Sequence, residues 1–492
     1  MTVPSSALLR KYNVPGPRYT SYPTVPYWER TPTEAEWIEA LRAQLIPSAQ
    51  PSPASGTGDS PHPNSLPQAG AGTGQPPSPP PSGERAGVRG AAVYVHIPFC
   101  RSLCTYCGCN VRITRNRAIA LPYLEAVLTE WRMYLERLRV ERLPVAEIHL
   151  GGGTPTFLNP DELRFLVEGL LARSSIADGP EYSIEADPRV TNREQLATLS
   201  ALGFRRLSLG IQDFDPRVQA IVNRVQSEEQ VRELTEAARA LGFTSINYDL
   251  IYGLPLQTLD SIEQTLGAVR RLRPDRIAFY GYAHVPWIKP SQRRFTEADL
   301  PEGEAKRALY ERGREMLEDA GYREIGMDHF ALETDSLWKA AEAGTLHRNF
   351  MGYTSRHVAP LIGLGVSAIG DAWTAFAQNE KAIEPYQQRV LRGELPLLRG
   401  HVLDAEDLEL RRLILDLMTR FRATWSRSNR GDHLESVPVK LRELVADELV
   451  TLNESGCEVT QRGRAFIRNV CMAFDARLAR KAPDTQLFSR TI

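Results

Sequence analysis

The stretch Ala92–Asn110, AVYVHIPFCRSLCTYCGCN, decides how the chain is read. It opens with AVYVHI (92–97), a β-branched apolar run of the length of one buried strand. Directly behind it, Cys100, Cys104 and Cys107 form a C-x3-C-x2-C array. Three thiolates at that spacing can wrap one face of a cubane, and a 4Fe-4S cluster with three protein ligands keeps one iron open to an outside chelating group. The amino and carboxylate groups of S-adenosylmethionine (SAM) suit that iron and bring the sulfonium beside a one-electron donor. Zinc is the competing assignment, but it ordinarily takes four N or S ligands, and the first gap is one residue longer than in a usual zinc knuckle. Cys109 follows Cys107 too closely to take the fourth iron and is read as packing against a ligand. Cys457 and Cys471 stand apart and are read as buried, inert thiols.

Downstream, the same kind of run recurs as VAEIHL (145–150), EYSIEA (181–186), RRLSLGI (205–211), INYDLI (246–251) and RIAFYG (276–281). The segments between carry helical periodicity, as in Tyr123, Val127, Trp131 and Leu135, or Leu163, Leu166, Val167 and Leu170. Strands alternating with crossover helices predict an α/β fold, an incomplete TIM-like (β/α)6 barrel with its extension over residues 91–380. A doubly wound sheet is the competing topology. Residues 1–46 read as an N-terminal arm and helix. Residues 47–90, dominated by Pro, Gly and Ser, read as a disordered insertion without activity. Residues 381–492 read as a mainly helical C-terminal domain with one hairpin, LVTLNESGCEVT (449–460), turning at Glu454-Ser455-Gly456. A helix pair followed by a hairpin is also the pattern of a winged-helix DNA reader, but the charge balance favours a structural or substrate-covering role.

That balance is a formal net charge of -1 over 492 residues, with acids and bases interspersed, which argues against nucleic acid as a partner. Nowhere do the roughly 20 consecutive apolar residues of a membrane span occur, and the N-terminus has no uninterrupted apolar leader. The chain is therefore read as a cytoplasmic protein without a membrane span. Six cysteines in so long a chain, four of them between Cys100 and Cys109, indicate metal rather than a disulfide framework.

The strands end in residues that suit a charged ligand, and in a barrel of parallel strands the C-terminal ends build the site. Gly151-Gly152-Gly153-Thr154-Pro155 follows the second strand, where missing side chains let the main chain approach a ligand. Glu185 ends the third strand, Gln212 the fourth, and Asp249 lies just before the end of the fifth. Carboxylates there suit ribose hydroxyls or an ammonium group, and Arg224 can meet a carboxylate in fork geometry.

Longer strings then carry a resemblance: RKYNVPGPRYTSYPT (10–24), HIPFCRSLCTYCGCN (96–110), HLGGGTPTFL (149–158), SIEADPR (183–189), LSLGIQDFD (207–215), DLIYGLP (249–255), YAHVP (282–286), IGMDHFA (325–331), LHRNFMGYT (346–354) and VTQRGRAFIRNVCMAFD (459–475). In these the chain resembles the oxygen-independent coproporphyrinogen III oxidases, radical SAM enzymes of anaerobic haem biosynthesis. The resemblance implies oxidative decarboxylation of two propionates of coproporphyrinogen III to vinyl groups, giving protoporphyrinogen IX. It implies a 4Fe-4S cluster on Cys100, Cys104 and Cys107 and two SAM molecules. Tyr94, Gly152, Glu185 and Ile369 would contact the cluster-bound SAM, and Tyr106, Gly153, Thr154, Gln212, Arg224, Asp249 and Ala283 the second. It implies a tetrapyrrole substrate, an external electron donor and an electron acceptor, and the chain is taken as a monomer; no residue is assigned to catalysis. The chain departs from the family pattern at Tyr106, where phenylalanine is usual, at Met351 in place of glutamine, at His357–Gly363 in place of GDTDLLG, and at Gly370 in place of serine. Met351 and the 357–363 stretch are expected near the substrate. They open two alternatives: another radical SAM reaction on a tetrapyrrole, by methyl transfer or ring opening, and a non-enzymatic haem chaperone.

Overall fold

The computed structural model describes residues 4–45, 90–425, 432–481, 483 and 487–491. The insertion read over 47–90 lies outside the described residues, apart from Gly90. Six strands run parallel and side by side in chain order: β1 (Ala91–Ile97), β2 (Leu143–Gly152), β3 (Ser174–Ala186), β4 (Phe204–Gln212), β5 (Ser245–Tyr252) and β6 (Arg276–Gly281). The crossover helices start at capping boxes built by Asn159 with Glu162, Asn192 with Gln195, Ser227 with Gln230 and Thr258 with Ser261. Each box satisfies orphan N–H groups at the first turn, so the helix start is set locally.

The sheet is larger than the six strands read from the sequence: it has twelve. Beyond β6 lie the antiparallel strands β7 (Tyr322–Gly326) and β8 (His329–Leu332), with β8 against β6. On the other side, β9 (Leu361–Leu364) is parallel to β1, and β10 (Ile369–Asp371), β11 (Ala375–Asn379) and β12 (Leu397–Val402) continue antiparallel. Most of these strands are short and joined by turns, so they leave no βα period in the sequence. β12 pairs with β11, so the sheet runs through the expected boundary between residues 380 and 381.

The N-terminal arm serves both cores. Helix α1 (Ser6–Tyr12) and the chain behind it bury Leu8, Leu9, Tyr12, Tyr19 and Tyr22 among C-terminal residues such as Leu413, Leu417, Val470 and Phe474. Helix α2 (Glu34–Leu45) buries Trp37, Ile38 and Leu41 in the barrel core. The C-terminal part holds helices Ala405–Arg420, Val437–Ala446 and Ile467–Phe474 and a three-stranded sheet that includes the hairpin Val450–Asn453 with Gly456–Val459.

One buried carboxyl locks β9 and β11 to helix α3 (Ala120–Leu138). Glu130 accepts hydrogen bonds from Gly365 N (2.8 Å), Asn379 Nδ2 (2.6 Å) and Tyr386 Oη (2.7 Å). Burial pushes its pKa from the ordinary 4.5 up to about 7, against the pull of those donors. A raised carboxyl pKa means that the folded chain holds the proton more tightly than the unfolded one, so this group's contribution to stability falls as pH rises between about 4.5 and 7. Glu130→Gln, which cannot ionise, is expected to flatten that part of the stability profile. Denaturant midpoints at pH 5 and pH 8 for both proteins provide the check; an unchanged slope would show that Glu130 does not titrate there.

Candidate active site

The C-terminal ends of the parallel strands surround a cavity of about 410 Å³. On its wall sits the loop after β1, which carries Cys100, Cys104 and Cys107. The loop is pinned on both sides. Arg112 N donates to Pro98 O (2.7 Å), Thr114 N to Cys100 O (2.8 Å) and Thr105 N to Val222 O (3.1 Å). Buried His96, held neutral by its burial, donates from Nε2 to Asn110 O (2.9 Å) and accepts the Tyr94 hydroxyl at Nδ1 (3.0 Å).

The thiols differ in their surroundings. Burial raises the Cys100 pKa to about 11, partly offset by a contact with Thr154 Oγ1 at 3.3 Å. A donor hydrogen bond from Cys109 lowers Cys107 to about 6, with Lys289 and Arg224 adding to the effect, while Cys109 itself is raised. Cys104 Sγ faces two guanidiniums, Arg189 Nη2 at 3.5 Å and Arg224 Nη1 at 3.6 Å. Three soft sulfurs on one wall, with cationic N–H donors aimed at one of them, are a donor set that fits a 4Fe-4S cluster. Among the described residues no three His, Cys, Asp or Glu side chains gather as ligands of a single ion. A cubane asks less convergence than that, because each sulfur serves its own iron.

Opposite the cysteines the lumen is acidic. Glu185 accepts Gly152 N (3.2 Å) and the Nε2–H of His149 (3.3 Å). Burial would raise Glu185, but His149 and Gly152 outweigh it and leave the pKa below normal. Asp249 accepts Ser208 Oγ and Asn247 Nδ2, both at 2.9 Å, and burial followed by the charge of Glu185 lifts it to about 6. Arg224 donates to Gly210 O (2.6 Å) and lies 3.4 Å from Asp187 Oδ2. Its burial opposes the charge, yet Tyr106, Asp187 and Cys104 hold the guanidinium protonated. Gly152 adopts φ +111°, and a Cβ there would lie 2.7 Å from the His96 ring, so only glycine lets the β2 end pass under the cysteine loop.

All the residues expected at the site line this cavity except Tyr94, Ala283 and Ile369. Tyr94 lies one layer back, stacked on His149 at 5.8 Å, and Ile369 N lies 3.0 Å from where a Cβ on Gly363, the β9 partner of Tyr94, would be. Ala283 O accepts Gln292 Nε2 (3.2 Å) beyond the end of β6. Sequence reasoning passed over His149, Asp187, Arg189, Ser208 and Tyr280, which also line the cavity. Alternation was the signal for Ser208: Arg206-Ser208-Gly210-Gln212, like Asn247-Asp249 in the next strand, puts a polar or small group at every second position of an otherwise apolar strand.

Beneath it lies a second cavity of about 100 Å³, which shares His149, Ser208 and Tyr280 with the first and is walled by Glu147, Arg206 and Arg276 toward the strand starts. Met351 faces this deeper cavity, so it lies away from the cysteines rather than beside them. The 357–363 stretch is likewise remote. Val358 and Leu361 pack on Ala92 and Ala146, and Ala92 N donates to Pro360 O (2.9 Å), at the start of β1. His357 packs tilted against His347 with ring centroids 4.2 Å apart, and Arg356 pairs with Glu147 at 3.1 Å. Gly370 faces away from the lumen, where a Cβ would lie 2.7 Å from Trp37. The 357–363 stretch thus supports the barrel floor and Gly370 the packing of α2, while Met351 lines the deeper cavity that adjoins the first.

The Radical SAM superfamily model matches residues 94–269. The oxygen-independent coproporphyrinogen III oxidase of Pseudomonas aeruginosa is 39% identical over 99% of this chain and 98% of its own, and that of Escherichia coli 38% over the same shares. The solved structure of the Escherichia coli coproporphyrinogen III oxidase, described as a radical SAM enzyme, superposes with a TM-score of 0.81, covering 97% of this chain and 100% of that one at 36% identity.

If Cys109 only donates to Cys107, the four cysteines separate on mutation. Cys100→Ala, Cys104→Ala and Cys107→Ala are each expected to abolish the roughly 400 nm absorption and the iron content of the anaerobically reconstituted protein. Cys109→Ala should keep both. Loss of iron in the Cys109 variant would make it a ligand.

Proposed function

Because the chain belongs to the oxygen-independent coproporphyrinogen III oxidase family, we propose that it oxidatively decarboxylates coproporphyrinogen III to protoporphyrinogen IX in haem biosynthesis. The observation that carries this reading is the single cavity shared by three cysteine thiols, the carboxylates of Glu185, Asp187 and Asp249, and the buried guanidinium of Arg224. The radical SAM oxidoreductases of this family carry a 4Fe-4S cluster and use SAM.

Cys100, Cys104 and Cys107 would hold three irons of the cluster. Bound there together, cluster and SAM supply the 5'-deoxyadenosyl radical that takes a hydrogen atom from a propionate β-carbon. Tyr94, Gly152, Glu185 and Ile369 would flank the SAM on the cluster: Glu185 is ionised and aimed at the lumen, and the sulfonium cofactor has an ammonium group for it to meet. Tyr106, Gly153, Thr154, Gln212, Arg224, Asp249 and Ala283 would hold a second SAM. Asp249, fixed by Ser208 and Asn247, offers a carboxylate at neutral pH, and Arg224 offers the complementary cation. Tyr280 and the inward row of β4 and β5 close the chamber from the deeper cavity.

On the substrate, each vinyl group formed costs the propionate one hydrogen atom, one carbon dioxide and one electron. The reading therefore includes an external donor for the cluster and an external acceptor for the substrate electron. It also includes a monomer in the cytoplasm, since cluster-bound thiolates need a reducing compartment and no described helix is long and apolar enough to cross a membrane. The place of the 357–363 stretch at the start of β1, away from the cysteine loop, supports decarboxylation over methyl transfer, ring opening or haem carriage.

Incubated without oxygen with SAM, a reductant, an electron acceptor and coproporphyrinogen III, the reconstituted protein should release two carbon dioxides per porphyrinogen with matching 5'-deoxyadenosine. SAM cleavage without loss of carboxyl groups would send the substrate elsewhere, and absence of cleavage with an intact cluster would point to a haem carrier. Equilibrium dialysis should find two SAM per chain, and Asp249→Asn should reduce this to one with iron content intact. A stoichiometry of one in the unaltered chain would remove the second site.

A further inference from the structure

Three cations gather beside the cysteine loop without acidic partners. Lys289, in the loop after β6, donates from Nζ to Cys109 O at 3.4 Å. Lys381 follows β11, and its carbonyl accepts Asn110 Nδ2 at 2.9 Å. Arg399, on β12, donates from Nε to Gln378 Oε1 at 2.7 Å. Gln378 is the cross-strand partner of both Arg399 and Ile369, so the three side chains share one sheet face, the face that carries Ile369 toward the site.

Nearby acids are engaged elsewhere. Glu384 takes Arg112 at 2.5 and 3.1 Å, Glu394 takes Arg392 at 2.8 Å, and Glu380 accepts the backbone N–H of Lys381 at 2.8 Å. Among the described residues Lys289, Lys381 and Arg399 have no ion pair with a carboxylate. Burial, then the charges of Arg399 and Lys289, lowers the pKa of the Lys381 ammonium against the smaller opposing charge of Glu380, so the cations repel one another. An arrangement that costs stability in the free protein is relieved by a polyanion.

An apolar wall adjoins the cations. Trp28 stacks on Phe376 at 5.4 Å and 9°, Phe350 meets Trp28 edge-on at 6.1 Å, and the Arg399 guanidinium lies 5.8 Å from the Trp28 ring centroid. On the other side, Trp287 and Ile288, next to Lys289, are 44% and 50% exposed. Phe376 is itself fully buried behind Trp28, so the apolar surface beside the cations is that of the half-buried Trp28 and Phe350 and the exposed Trp287 and Ile288, and it is complementary to an apolar macrocycle rimmed by carboxylates.

We propose that Lys289, Lys381 and Arg399 form the carboxylate-binding rim of the substrate site and hold the propionates that are not reacting. The inference rests on the coproporphyrinogen reading above and adds the residues that recognise the substrate's charge. The reacting propionate is excluded from the rim for a chemical reason. Its carboxylate leaves as neutral carbon dioxide, so an ion pair made in the ground state and lost on the way would raise the barrier. The same ion pair on a spectator propionate costs nothing and fixes which side chain faces the cluster loop.

The test uses the full-length reconstituted protein and coproporphyrin III, the stable oxidised tetracarboxylate, followed by fluorescence quenching. Lys289→Gln, Lys381→Gln and Arg399→Gln should each weaken binding about tenfold, the size of a lost charge-assisted hydrogen bond. Lys381→Arg should retain binding, and raised salt should weaken the unaltered protein toward its variants. With coproporphyrinogen III as substrate, the variants should raise KM more than they lower kcat. A triple variant that is folded, keeps its iron and binds coproporphyrin III within twofold of the unaltered chain would overturn the rim, also where its reduction by an acidic one-electron carrier protein is slowed, since the cations would then be a docking surface. If the unaltered chain decarboxylates the substrate while the variants keep its KM, the rim alone fails. If the unaltered chain neither binds coproporphyrin III nor decarboxylates the porphyrinogen, the functional reading fails and the rim with it.

Discussion

Three sulfurs can share one cluster only if the short loop that carries them is held still at the mouth of the barrel. That requirement explains most of the interactions around β1. The strand lies inside the sheet between β9 and β2, and the far end of the following loop returns to its start, Arg112 N to Pro98 O and Thr114 N to Cys100 O. Asn223 Nδ2 reaches Leu103 O at 2.7 Å from the helix beyond β4, and His96 fixes Asn110 from below. The glycines after β2 exist on the same account, because any side chain at Gly152 would enter the His96 ring.

Charge in the lumen follows from the same geometry. Successive residues of a strand face opposite ways, so a parallel barrel can keep an apolar outer layer against its helices and a polar inner row. Ser183 and Glu185, Ser208 and Gln212, and Asn247 and Asp249 occupy that row. Carboxylates are tolerated in this lumen because each has donors: His149 and Gly152 for Glu185, Ser208 and Asn247 for Asp249. Arg224 and Arg189 supply the compensating charge and converge on Asp187 and Cys104. The cavity thereby holds Glu185 and Asp249 on its strand wall and gathers Arg189, Arg224 and Asp187 beside Cys104.

Below this chamber the barrel is closed by ion pairs and packing. Arg356 on Glu147 and the Val358–Leu361 packing against β1 seal the floor. The arm then ties the barrel to the C-terminal helices, since Arg468 donates to Pro17 O at 2.9 Å and α2 inserts Trp37 against Tyr134 at 3.1 Å. Differences from the family pattern at 357–363 and Gly370 fall in these supporting layers, while Tyr106, which stands where phenylalanine is usual, lines the chamber and keeps an aromatic ring there.

The sequence alone was enough for the six parallel strands, their helices and the cysteine loop, because β-branched runs, 3.6-residue periods and capping boxes are local and the cysteines are adjacent in the chain. It also sufficed for Glu185, Gln212 and Asp249, which stand at strand ends. The extra strands β7 to β12 were illegible: most are short, turn-connected and specified by pairing with distant edges rather than by a period of their own. So was the true place of Met351, His357 and Gly370, since which end of a barrel a residue occupies depends on strand direction and register. Lys289, Lys381 and Arg399 are separated by 92 and 18 residues in the chain and come together only because the loop after β6 and the β11–β12 pair both reach the cysteine loop.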